Sequence, residues 1–120
     1  LARSITYEDY KLALEKKEAI RRFMEENLEP SDVLVFPTVH DVPPLLSSTL
    51  IQLKDFALKA SCHTCLAPLS GFPEITIPLR NIKKNRALGM SFLARGGKDY
   101  SLALFASQAH PIMNGRNKND

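Results

Sequence analysis

No apolar run in these 120 residues comes close to the ~20 needed to cross a bilayer; the longest stretches, such as Leu102 to Ala106, fall far short. A secretory signal with its small-residue cleavage site is also missing, so nothing in this stretch is expected to insert in a membrane. Glycine occurs only five times against eight prolines, and 44% of residues are hydrophobic, 24% charged and 8% aromatic. That balance excludes collagen-like, disordered and coiled-coil classes and leaves a soluble globular chain. A dense basic stripe interleaved with aromatics is lacking too. The net charge of +3 comes from 16 basic and 13 acidic residues spread along the chain, apart from a small cluster at Lys83, Lys84 and Arg86, so no nucleic-acid partner is expected. An initiating methionine is absent, and a helical pattern follows almost at once after Leu1, so sequence upstream is expected.

What is present fits one small domain, in which a chain of this length could remove roughly two thirds of its unfolded surface from water. Between Tyr7 and Leu28, the residues Tyr10, Ala13, Leu14, Ile20, Met24 and Leu28 share an arc of ~120° at ~100° per residue. This predicts a surface helix with one buried face. Thr6 is the expected N-cap, Glu8 and Asp9 suit the positive end of the dipole, Pro30 closes the far end, and Lys17 snorkels from the buried arc.

The run Asp32-Val-Leu-Val-Phe-Pro37 is apolar without alternation, as a strand covered on both faces should be. A proline-rich loop follows over 37–49 and ends in Ser47, Ser48 and Thr49, which suit a helix cap. The next helix, from near Leu50 to about Leu66, is apolar over most of its circumference, with Gln52, Asp55, Lys59 and His63 on one narrow side. It is expected to be deeply buried and to end at Pro68 and Gly71. Glu74 to Pro78 alternates like a strand, and Ala87 to Leu93 gives another. The polar connection Asn81 to Arg86 suggests that the two are antiparallel neighbours with a basic turn tip. Gly96-Gly97 breaks the second strand, Asp99 can cap, Tyr100 to Ala109 reads as a last helix stopped by Pro111 and Gly115, and the end of the chain, 110–120, reads as a frayed tail. The predicted class is α/β, in the order helix, strand, loop, helix, strand, strand, helix.

Three blocks then carry a resemblance: Asp32-Val-Leu-Val-Phe-Pro-Thr38, Leu69-Ser-Gly-Phe-Pro-Glu-Ile-Thr-Ile-Pro78 and Leu88-Gly-Met-Ser-Phe-Leu-Ala-Arg-Gly-Gly-Lys-Asp99. Their order and spacing over roughly residues 7 to 108 resemble the closing region of amidase-signature enzymes, although no single motif among them is specific. The glycine-rich turn and the Ser-Phe-Leu-Ala-Arg strand look closest to plant-type amidases and to their non-catalytic homologues fused to TPR repeats on organelle outer membranes.

The resemblance implies residues 1–120 as the C-terminal part of an α/β/α sandwich with a mixed sheet. It further implies a parent that hydrolyses the C–N bond of a small amide through a serine nucleophile, a second serine in a cis peptide and a lysine base, all upstream of this region. No catalytic residue, metal ligand or cofactor is therefore assigned here. The Pro-Thr loop and the Gly-x-Pro turn of the family border the acyl pocket, which makes Thr38, His40, Gly71 and Phe72 the candidate substrate contacts; loops beyond strand ends are where α/β sheets form ligand crevices. A homodimer stays open, and the expected location is cytoplasmic, with an organelle outer-membrane surface as the alternative.

Other constellations are weaker. Ser47-Ser48 lacks the flanking glycines of a nucleophile run. Cys62-His-Thr-Cys65 has no second ligand pair, and it reads as two reduced core thiols with a solvated His63. His40-Asp41 are sequence neighbours, which seldom face each other as a hydrolytic pair, so loop residues are the favoured reading.

Overall fold

The computed structural model describes residues 4–80 and 87–115. Its elements are α1 (Tyr7–Asn27), β1 (Val33–Pro37), α2 (Leu50–Thr64), α3 (Leu66–Ser70), β2 (Glu74–Arg80), β3 (Ala87–Ala94) and α4 (Asp99–Met113). The α/β class and the predicted order hold, with α3 as an added short helix. The connection Asn81 to Arg86, with its Lys83, Lys84 and Arg86 cluster, and the tail from Arg116 to Asp120 lie outside the described residues.

Helix α1 begins where its cap chemistry requires. The Asp9 N–H donates to Thr6 Oγ1 at 3.1 Å and the Thr6 N–H donates to Asp9 Oδ2 at 2.9 Å, a reciprocal box that satisfies two orphan donors. Only the C-terminal half of its apolar arc is covered. Met24 is buried and Ile20 and Leu28 are partly so, whereas Tyr10, Ala13 and Leu14 are exposed, as is Lys17. The buried face predicted from periodicity is thus cut short, because α1 packs against α3 and the sheet through its last turns alone.

The three strands lie in the order β1-β3-β2 and are antiparallel throughout, so the mixed sheet implied by the resemblance is not seen among them. The reason is topological: β1 and β2 run the same way, joined through α2 and α3, but β3 inserts between them. The expected β2–β3 antiparallel pair is present, with Thr76 opposite Ser91 and Pro78 opposite Gly89. Strand β2 continues past Pro78 rather than ending there. The Ala94 N–H donates to Pro73 O at 3.1 Å, so even-numbered residues of β3 and odd-numbered residues of β2 face each other's hydrogen bonds. Pro78 then points to the open edge, where a missing N–H costs no ladder bond.

Helices cover both faces of the sheet. On one side Ile77, Phe92 and Ala94 pack with Leu102 and Ala106 of α4; on the other Leu93 packs with Phe72 and Met24, flanked by Leu34, Phe36, Leu66 and Ala67. This is an α/β/α layering in miniature. Val33 belongs to the α4 side and Leu34 and Phe36 to the α1 side, so β1 is lined on both faces, yet Val35 stays 49% exposed.

Helix α2 departs most from expectation. Thr49 caps it with Gln52 in a second reciprocal box, but none of its residues is buried, and Ile51 is 80% and Leu58 71% exposed. The deep burial predicted for it is corrected for a plain reason: among the described residues α3 is its principal contact, and no strand is packed along it to a comparable extent. The helix breaks at Cys65, where α3 starts, and Pro68 lies third in α3 instead of ending α2. A proline is tolerated there because first-turn N–H groups have no intrahelical acceptor. Gly71, at φ 72°, ends α3 in the left-handed region.

Helix α4 has Lys98 at its N-cap without a side-chain cap bond, so Asp99 is the first helical residue rather than the cap. It runs on past Ala109 and through Pro111, since Ala109 and Met113 pack on the core and Asn114 Nδ2 donates to Pro78 O at 3.1 Å. Docking of the last turn outweighs the hydrogen bond lost at the proline.

Candidate functional site

Thr38 lies immediately after β1 and extends its pairing with β3, its N–H donating to Gly89 O at 3.0 Å. Its Oγ1 is 2.9 Å from Ser91 Oγ, which is 3.1 Å from Thr76 Oγ1, so three hydroxyls from three strands form a chain across the sheet. Ser91, at its centre, has no exposed surface. Three hydroxyl protons serve two such contacts, which leaves one O–H of the chain to donate elsewhere. Gly89 makes the arrangement possible. A Cβ there would stand 2.6 Å from Thr38 Oγ1 and 3.1 Å from Thr76 Cγ2, so only glycine lets both threonines close over β3.

The four predicted contact residues divide into two groups. Thr38 and Phe72 lie on the same face of the sheet, on the side of Ser91 and Leu93. Phe72 is only 6% exposed and packs with Met24 and Leu93, while Gly71 is exposed at the turn before it, which Ser70 fixes by accepting the Phe72 N–H at 3.2 Å. His40 is carried away onto α2. Its ring centroid lies 4.9 Å from that of Phe56 and 6.4 Å from that of His63, which is therefore half-buried rather than solvated. Sequence reasoning missed Ser91, Thr76 and Gly89. A small polar residue within the apolar Met90-Ser91-Phe92 was the one available signal.

The weaker constellations also have a place. Asp41 Oδ1 accepts the N–H of Val42 at 2.7 Å, a local turn contact. Ser48 donates its N–H to Leu45 O at 2.9 Å in the turn before Thr49. Cys62 and Cys65 are free thiols, but Cys62 is exposed, so the core placement expected for it is corrected: the helix face that carries it is uncovered. Among the described residues no group of three or more His, Cys, Asp or Glu side chains could hold a metal ion. Nor is any helix among them long and apolar enough to cross a membrane. Lys59 hydrogen-bonds Asp55 at 2.8 Å, which raises its pKa; a lysine base would need the opposite shift.

No family model matches the chain, and no solved structure matches it. Among curated proteins, the chain is 36% identical over 86 residues to Outer envelope protein 64, chloroplastic, of Arabidopsis thaliana, covering 72% of this chain and 14% of that protein. It is 36% identical over 78 residues to Amidase 1 of the same plant, covering 64% of this chain and 18% of the relative. It is also 36% identical over 72 residues to Translocon at the outer membrane of chloroplasts 64 of Pisum sativum, covering 60% of this chain and 12% of that protein. Over most of its length, then, this α/β chain is similar to a short part of plant proteins that carry amidase and chloroplast outer-envelope names.

Proposed function

We propose that these residues form the C-terminal region of an amidase-signature hydrolase, supplying sheet strands, covering helices and one wall of the pocket for a small carboxamide. The observation that carries this reading is the 36% identity with Amidase 1 over 78 residues, together with the ordered Pro-Thr, Gly-x-Pro and Gly-Gly-x-Asp blocks. In this reading Thr38, with the spare proton of its hydroxyl chain, donates to a polar atom of the amide. Gly71 lets the turn backbone approach, Phe72 supports that turn from beneath, and His40 borders the loop side. The nucleophilic serine, the second serine and the lysine base belong to other parts of the parent, whose preorganised donors would hold the oxyanion. The parent acts in the cytoplasm.

A serine-reactive fluorophosphonate probe tests this. The full-length parent should be labelled stoichiometrically and hydrolyse simple carboxamides, while the 120-residue chain should do neither. An unlabelled, inactive parent, or labelling of the short chain, would contradict it.

A second reading is a non-catalytic amidase-like scaffold at an organelle outer membrane, favoured by the similarity to the two 64-named envelope proteins. TPR-like helical repeats downstream in the parent, without the serine and lysine set, would select it.

A further inference from the structure

Among the described residues the Ser91 hydroxyl meets two partners, Thr38 Oγ1 at 2.9 Å and Thr76 Oγ1 at 3.1 Å. It has no exposed surface, and further chain around it can only add to that burial. A buried O–H left without an acceptor costs about 1–3 kcal/mol, so the Ser91 proton goes to one of the two threonines.

That choice fixes the sign of Thr38. If Ser91 donates to Thr76, the contact between Ser91 and Thr38 needs the Thr38 proton, and Thr38 has only lone pairs left to offer. If Ser91 donates to Thr38, the Thr76 proton makes the other contact and the Thr38 proton is free for another partner. Thr38 is held ready for such a role. Its N–H donates to Gly89 O at 3.0 Å, which ties its backbone to β3, and its Oγ1 lies 2.6 Å from where a Gly89 Cβ would stand, so it fills a space that only glycine leaves. A hydroxyl pinned in this way has little rotamer freedom left to lose when it binds.

We infer that Ser91 is the positioning residue that makes Thr38 a hydrogen-bond donor: Thr76 donates to Ser91, Ser91 to Thr38, and Thr38 to an acceptor of the ligand, the carbonyl oxygen of the carboxamide and then a carboxylate oxygen of its product. This rests on the hydrolase reading, which puts Thr38 at the substrate, and adds a specificity rule to it: the contact selects lone pairs over N–H groups. Thr76→Val sharpens the rule. It removes the competing acceptor, so Ser91 can donate only to Thr38 and the donor sign is locked.

The full-length parent tests this with a panel of simple carboxamides, the carboxylate product of the best substrate serving as an inhibitor that only accepts hydrogen bonds. Thr38→Val should raise both KM and the inhibition constant of the product about 3–10-fold, the worth of one hydrogen bond, with kcat little changed. Ser91→Ala leaves the Thr38 proton unaimed and should raise both about 3-fold, and Ser91→Cys, which keeps a weak donor, should recover part of that. Thr76→Val should bind the product at least as tightly as the wild type, because the competing arrangement is gone. Thermal unfolding is followed for every variant, and the comparison of Thr38→Val with Thr76→Val carries the test if Ser91→Ala does not fold.

An active parent in which Thr38→Val and Ser91→Ala lower Tm but leave both constants where they were would overturn this proposal alone and make the hydroxyl chain a brace of the sheet. So would Thr76→Val weakening the product as much as Thr38→Val does. A wild-type parent that neither hydrolyses a carboxamide nor takes the fluorophosphonate label would overturn the hydrolase reading, and the proposal with it.

Discussion

Thr38 occupies the space that a side chain at Gly89 would need, its Oγ1 lying 2.6 Å from where a Cβ would stand. The contact joins the end of β1 to the middle of β3 and positions the first hydroxyl of the Thr38-Ser91-Thr76 chain. Gly89→Ala should therefore destabilise the fold by about 1–3 kcal/mol through overpacking. Pairing it with Thr38→Ala removes the nearest clash, so a double-mutant cycle by urea unfolding should show that the second change recovers part of the loss. Additive losses would mean that the two positions do not meet.

Ser91→Ala removes the buried centre of the hydroxyl chain. Thr38 and Thr76 each lose a partner; Thr76 is exposed and regains water, while Thr38 is only half so. A loss of about 1–2 kcal/mol is expected, larger than for Thr76→Val at the exposed end of the same chain. Equal losses from the two substitutions, measured by chemical unfolding, would argue against Ser91 as the hub.

Thr49→Ala removes the reciprocal cap of α2, in which the Gln52 N–H donates to Thr49 Oγ1 and the Thr49 N–H to Gln52 Oε1. The local cost is about 1 kcal/mol. Since α2 gains little from packing, that cost should appear as lost helicity confined to residues 50–64 in carbon chemical shifts, with the sheet amides unmoved. A global unfolding shift of the same size would mean that α2 is coupled to the core.

The N-caps Thr6 and Thr49 were legible because a cap depends on neighbours in sequence, and so was Gly71 as a helix end, although the helix it ends is the separate α3 and not α2. The β2–β3 pairing was legible for the same reason. The pairing of β1 with β3 is not local, and nothing in the Val33–Pro37 run specifies which strand it meets. Periodicity marked Tyr10, Leu14 and most of α2 as apolar, but an apolar face says only that burial would be favourable, not that a covering element is at hand. The hydroxyl chain stayed hidden because its members come from three separate segments, and each alone is an ordinary strand serine or threonine.

Lowering the pH should loosen the start of α1. The side-chain hydrogen bond from Thr6, followed by the backbone one, holds the Asp9 carboxyl below its ordinary 3.8, so the unfolded chain binds that proton more readily than the folded one. The cap's contribution is complete above pH 3.8 and is lost as pH falls through the lower folded value. Glu18, hydrogen-bonded by Arg21, is also lowered and titrates in the same sense. Amide shifts of residues 7–10 followed by NMR should move only in this acid window, and Asp9→Asn should abolish the Asp9 part. Movement near neutral pH would contradict the assignment.

The proposed function has these sequence blocks border a pocket and the bond-breaking residues lie elsewhere in the parent. Sequencing the complete transcript that encodes these 120 residues tests that division most directly. The account predicts, in frame and upstream of Leu1, a Gly- and Ser-rich run of the Gly-Gly-Ser-Ser kind together with a lysine to act as base. A complete transcript without that run and lysine would contradict it.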